Sequence, residues 1–119
     1  MKPVSRRATL ALPFLGASPA LAQPAWHPSG PARLIVPSTA GGTSDLVTRM
    51  VARHAQAAWG SPVVADNKPG SGGVIATMDL LRSPADGQTL LCGSAGSQAI
   101  AYSLYTDVPY RPDQLIPVS

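Results

Sequence analysis

The chain contains no glutamate, a single cysteine and only 13% charged residues among its 119. Its acidic residues are therefore all aspartates, and none falls with His or Cys at a spacing that gathers metal ligands, so metal catalysis lacks a donor set. A lone thiol, Cys92, excludes an internal disulfide. Free cysteines are usually buried as small apolar groups, and the neighbours Thr89, Leu90 and Leu91 predict a core strand around this one. Long hydrophobic runs are missing too. The most apolar stretch, residues 8–15, is about half of the roughly 20 residues a membrane-spanning helix needs. Pro13 interrupts it, and Gly16 and Pro19 follow.

Complete nucleotide and nucleophile motifs are also absent. Gly41-Gly42-Thr43 is not followed by the Lys-Ser/Thr of a P-loop, and no loop carries the full dinucleotide fingerprint. Ser94 precedes Gly96 by two residues, but Cys92 stands where a nucleophile elbow needs glycine. His54 falls on or beside the apolar stripe of a helix, where a core or boundary role is expected, and His27 is expected to be solvated.

What is present begins with an export leader. Lys2, Arg6 and Arg7 form a basic start, residues 8–15 an apolar stretch, and Ala20-Leu21-Ala22 a small-residue cleavage site. Residues 1–22 read as a signal peptide, cleavage is expected after Ala22, and no cysteine sits there to take a lipid. Ser5-Arg6-Arg7-Ala8-Thr9-Leu10 partly resembles a twin-arginine signal, with unfolded-state export as the default. Three basic residues leave with the leader, so residues 23–119 carry six basic and six acidic side chains. The basic footprint of a nucleic-acid binder is thereby excluded.

Residues 23–31, rich in Pro, Ser, Gly and Ala, read as a linker. Residues 32–119 read as an α/β unit. Arg33-Leu34-Ile35-Val36 predicts a buried strand ended by Pro37. The spacing of Val47, Met50, Val51, Ala55 and Ala58 predicts an amphipathic helix over 44–59, with Thr43 or Ser44 as N-cap and Gly60 just past its end. A strand over 62–66, a glycine loop over 67–73 and a helix over 74–81 repeat the unit. A strand over 88–92, a loop over 93–96 and a helix over 97–105 repeat it again. Strand, small-residue loop and helix in succession imply a parallel sheet with flanking helices, whose ligands bind outside the carboxyl ends of the strands. The stretch 115–119 resembles a strand beginning, so the chain reads as the truncated front of a longer protein.

Glycine loops that run into helix starts expose backbone N–H groups, and the helix dipole adds partial positive charge, which together form an anion cradle. Asp45 in the first turn of the first helix is expected to cap loop amides; where it meets ligand, the partner would be an ammonium or hydroxyl.

Five segments in register carry a specific likeness: Leu34-Ile35-Val36-Pro37; Gly41-Gly42-Thr43-Ser44-Asp45 with Arg49; Asp66-Asn67-Lys68-Pro69-Gly70-Ser71-Gly72-Gly73; Asp86-Gly87 before Thr89-Leu90-Leu91; and Pro109-Tyr110 before Pro117-Val118-Ser119. Together they resemble the substrate-binding receptors of tripartite tricarboxylate transporters, the Bug proteins. The resemblance implies a type II periplasmic-binding-protein fold, of which this chain supplies the first domain with the second largely missing. It also implies a monomeric, cofactor-free receptor that captures a dicarboxylate, tricarboxylate or amino acid for membrane transporter subunits. Carried onto this sequence, the ligand site comprises Ser38, Thr39, Ala40, Gly41, Gly42, Thr43 and Ser44, with Asp45 beside them, then Gly72 and Gly73, then Ser94, Ala95, Gly96 and Ser97. The first loop departs from the family pattern at Ser38, Ala40 and Thr43, and Lys68 stands where arginine is commoner. Two other readings stand beside the receptor: an α/β enzyme on a phosphorylated or acyl substrate, with its catalytic residues beyond Ser119, and an inactive product of a broken gene.

Overall fold

A computed structural model describes residues 26–118. The leader, the cleavage site after Ala22 and the first residues after it lie outside the described residues. Three strands, β1 (Ala32–Val36), β2 (Val63–Asn67) and β3 (Thr89–Leu91), form a parallel sheet in the order β2-β1-β3. Their register sets Leu34 beside Ala65 on one side and Leu90 on the other. The connections are α1 (Thr43–Trp59) between β1 and β2 and α2 (Val74–Arg82) between β2 and β3. The first crossover runs from central β1 to β2 and the second back past β1 to β3, and right-handed crossovers in opposite directions put the two helices on opposite faces. The side chains of β1 agree. Ala32 and Leu34 join Ala52 of α1 and Val63 in one buried cluster, flanked by Ala55, Trp59 and Leu90, whereas Arg33 reaches across the other face to Asp79 of α2. The same guanidinium meets Asp66 at 3.0 Å, and Lys68 lies 3.7 Å from that carboxylate.

The face that α1 turns inward is not the expected one. Asp45, Thr48 and Ala52 are its buried residues, with Ala55 and Trp59 partly covered. Val47, Met50 and Val51, expected in the core, are at least half exposed, Met50 at 69%, and His54 is exposed with them. At 100° per residue the two sets lie on opposite sides of the helix. Small side chains allow the helix to sit close to the sheet, so close packing selects Thr48 and Ala52 over the larger apolar residues behind them. The helix begins one residue earlier than expected, on Gly42, with no side-chain cap. It ends as expected on Gly60, whose φ of 66° lets its N–H bond Gln56 O at 3.0 Å. Trp26, in the segment read as a linker, packs edge-on against Trp59 with ring centroids 5.6 Å apart.

The other differences are local. β2 extends through Asn67, α2 through Arg82, and β3 is shorter than expected at both ends. Cys92 therefore stands one residue past β3, partly rather than fully covered, with its N–H bonded to Ile35 O at 2.9 Å. The third helix is a π-helical turn, Gly96–Ile100, running into the short α3 (Ala101–Leu104). Ser97 Oγ bonds backbone groups of Ser94 there, which competes with a regular α-helical start. The stretch 115–118 pairs with no strand among the described residues.

The orientation of α1 is testable by substitution. Met50→Gln should change stability by no more than about 0.5 kcal/mol, as at other exposed positions. Ala52→Leu should cost about 1–3 kcal/mol by overpacking against the sheet. Urea denaturation of the two variants checks this, and the reverse ranking would place the core on the other face.

Candidate functional site

All three strand ends deliver a loop to the same edge of the sheet. The contact that joins the loops is at Gly73. A side chain there would begin 2.4 Å from Ser97 Cβ of the third loop and 3.2 Å from Pro37 Cβ of the first. Gly73 is buried and has a φ of 95°, so this position admits glycine on both steric and conformational grounds. In a parallel sheet of order 2-1-3 the strand order reverses between β1 and β3, and ligands of such sheets bind outside the carboxyl ends of the strands at that point. The loop after β2 packs at Gly73 between the loops after β1 and β3.

The first loop is held from behind. Asp45 is 2% exposed, and its Oδ2 accepts from Gly41 N–H at 2.8 Å and Arg49 Nε at 3.0 Å. Its Oδ1 accepts from Asn67 Nδ2 at 3.0 Å, and the same amide donates to Ser38 O at 3.1 Å. These donors hold the Asp45 carboxyl at about 2, below its usual 3.8, with the Arg49 hydrogen bond the largest cause, then Gly41 N–H and Asn67. Asp45 thus lies behind the loop and fixes it to β2 rather than facing outward. In front, Thr39, Ala40, Gly41 and Thr43 are exposed, while Ser38, Gly42 and Ser44 are partly covered. Gly42 N–H closes a turn onto Thr39 O at 3.3 Å, and Leu46 N–H makes the first helical bond, to Gly42 O. The N–H groups of Thr43, Ser44 and Asp45 precede that ladder. Positive φ belongs to Gly41, at 83°, and not to Gly42, at −74°. Ser38 Oγ is buried and has no hydrogen-bond partner among the described residues.

The second loop winds through Gly70, Ser71, Gly72 and Gly73, all at positive φ. It starts α2 with no side-chain cap and no acidic residue in the first turn. Gly72 is exposed on its rim. In the third loop Ser94 and Ala95 are exposed, Gly96 is partly covered and Ser97 is fully buried. Tyr110, 4% exposed, donates from its hydroxyl to Ser97 O at 2.9 Å and so pins this loop. Asn67, Arg49 and Tyr110 position the site although sequence reasoning gave them no such role. Asn67 read as loop because the strand ran one residue longer, and Tyr110 acts across 13 residues. Lys68 is partly exposed beside Asp66.

These supports can be tested in two ways. Asp45 has a folded-state pKa below its ordinary value, so its stabilisation is present in full above pH ~4 and is lost as pH falls toward 2. Acid titration followed by circular dichroism should show that loss, with a shallower slope over the same window in Asp45→Asn. Gly73→Ala should destabilise by about 3 kcal/mol, adding overpacking to left-handed strain. Gly41→Ala, whose Cβ would meet nothing within 4 Å, should show only the backbone part, about 1–2 kcal/mol. Equal losses in a denaturation series would remove the three-loop contact as the cause.

The arrangement is matched in known proteins. A profile of the tripartite tricarboxylate transporter family receptors matches residues 47–119. Protein BugT of Bordetella pertussis is 42% identical over 95 residues, covering 78% of this chain and 29% of that protein. A UPF0065 protein of the same organism is 39% identical over 122 aligned positions, covering 100% of this chain and 37% of that protein. Among solved structures, R. palustris Rpa4515 with adipate gives a TM-score of 0.69 at 35% identity, covering 72% of this chain and 29% of that one. MatC (Rpa3494) from Rhodopseudomonas palustris with bound malate gives 0.68 at 31% identity, also covering 72% and 29%. The chain therefore spans 29% to 37% of the length of these curated relatives. The shared fold is that of periplasmic binding proteins, and with the profile matching well over half of its residues, this chain belongs to the tripartite tricarboxylate transporter receptor family.

Proposed function

We propose that this chain forms one wall of the ligand cleft of an exported receptor, which captures a small carboxylate in the periplasm and passes it to the membrane subunits of a tripartite transporter without transforming it. The observation that carries this reading is the meeting of three strand-end loops at Gly73, which brings two uncapped helix starts to one edge of a parallel sheet. Backbone N–H groups there suit a carboxylate, and each hydrogen bond to a charged group is worth roughly 1.5–3 kcal/mol net. Relatives of the same fold with bound adipate and malate make a dicarboxylate the first ligand class to try. The receptor works as a monomer, and its leader is removed after Ala22.

The α2 start is the better seat for the anion. Asp45 places a carboxylate inside the first turn of α1, and a second anion about 6 Å away would be repelled by roughly 3 kcal/mol at an effective dielectric of about 20, before relief from Arg49. The first turn of α2 carries no such charge.

Titration of the isotope-labelled chain with adipate or malate, followed by amide resonances, tests the reading. Gly72, Val74, Thr43 and Ser44 should shift together, with a dissociation constant on the order of 1 mM because only one wall encloses the ligand. Lys68→Ala should leave that constant within about twofold, since a solvated charge contributes little. Loop amides that stay in place at tens of millimolar ligand would rule out the carboxylate site, and loss of binding in Lys68→Ala would replace the amide cradle with a charge-paired one.

A further inference from the structure

Three tyrosines follow the third loop, and they are used differently. Tyr110 is buried and donates to Ser97 O. Tyr102 meets it edge-on with ring centroids 5.6 Å apart, and burial raises the Tyr102 phenol above its ordinary pKa. Tyr105, just past the end of α3, is 41% exposed and lies against the second glycine loop. A side chain on Gly72 would begin 3.2 Å from its Cε2 and 3.3 Å from its hydroxyl oxygen. Gly72 has a φ of 60°, so a bare backbone and a left-handed conformation together leave the space that the phenol occupies. Among the described residues the Tyr105 hydroxyl has no hydrogen-bond partner, and it stands beside the residue that precedes Gly73, the N-cap of α2.

We infer that Tyr105 is a ligand-contacting residue of the proposed site: its hydroxyl donates a hydrogen bond to a carboxylate oxygen of an anion seated at the start of α2, while its ring covers the backbone of Gly72. This rests on the carboxylate reading above. A phenol adds a donor without adding charge, and a donor to a carboxylate makes a stronger hydrogen bond than one to a neutral acceptor. The position also selects among ligands. The contact favours a ligand whose carboxylate sits at the α2 start over one held only at the first loop.

Tyr105→Phe keeps the ring and removes only the donor. Its melting temperature and far-ultraviolet spectrum should match the parent chain, while its dissociation constant for adipate, read from the Gly72 and Val74 amides, should rise about tenfold. In the parent chain the Tyr105 ring resonances, identified by their absence from the variant, should move with the same concentration dependence as those amides. An unchanged adipate affinity in Tyr105→Phe, or ring resonances that stay still while the amides move, overturns the assignment and leaves the carboxylate reading intact. Loop amides that respond to neither adipate nor malate in the parent chain overturn both.

Discussion

The close passage of Gly73 between Pro37 and Ser97 is the constraint on which the site depends. Each loop is tied back to the body of the fold by its own device. The first is held by Asp45 and Asn67, the second by its run of left-handed residues, and the third by Tyr110 through Ser97 O. None of these devices sets the spacing between the loops. That spacing comes from backbone packed against a serine Cβ with no side chain intervening, so it is as rigid as a core contact although it lies at the edge of the sheet.

The electrostatics follow from the same layout. Asp45 is buried, yet its two oxygens accept from three donors, which offsets much of the cost of keeping a carboxylate out of water. The arrangement stiffens the first loop and lowers the attraction of the α1 start for anions. The α2 start has neither an acidic residue nor a capping side chain, so no side chain of its own first turn offsets its partial positive charge. With six basic and six acidic residues across positions 23–119, the proposed anion site would draw on oriented backbone groups rather than on net charge.

Helix α1 is apolar on two sides. Its sheet-facing side is narrow and built of small residues, and its outer side carries Leu46, Val47, Met50 and Val51 in exposed positions. A hydrophobic periodicity weighs side chains by their apolar character and so selects the outer set. Packing weighs how near the helix axis can approach the strands, and Thr48 and Ala52 win on that measure. Thr48, polar like Asp45 on this inner face, is accommodated because its hydroxyl donates to Ser44 O at 2.7 Å within the helix itself.

Alternation of strand, glycine loop and helix, read from residues such as Val36, Gly60 and Gly73, was enough to determine a parallel α/β unit and the edge on which its loops emerge. These features arise from local rules: β-branched runs, positive-φ glycines and crossover handedness each act over a few residues or one connection. The sequence alone also determined the family, because five short motifs hold their order and spacing. Only the tertiary structure decided which face of α1 is buried, that Asp45, expected to cap loop amides, is also held by Asn67, and that Tyr105 stays exposed against Gly72 while Tyr110, after the same short helix, is buried. Those choices depend on distances between segments far apart in the chain, such as the 24 positions from Gly73 to Ser97, and close packing across such separations leaves no periodic mark in the sequence.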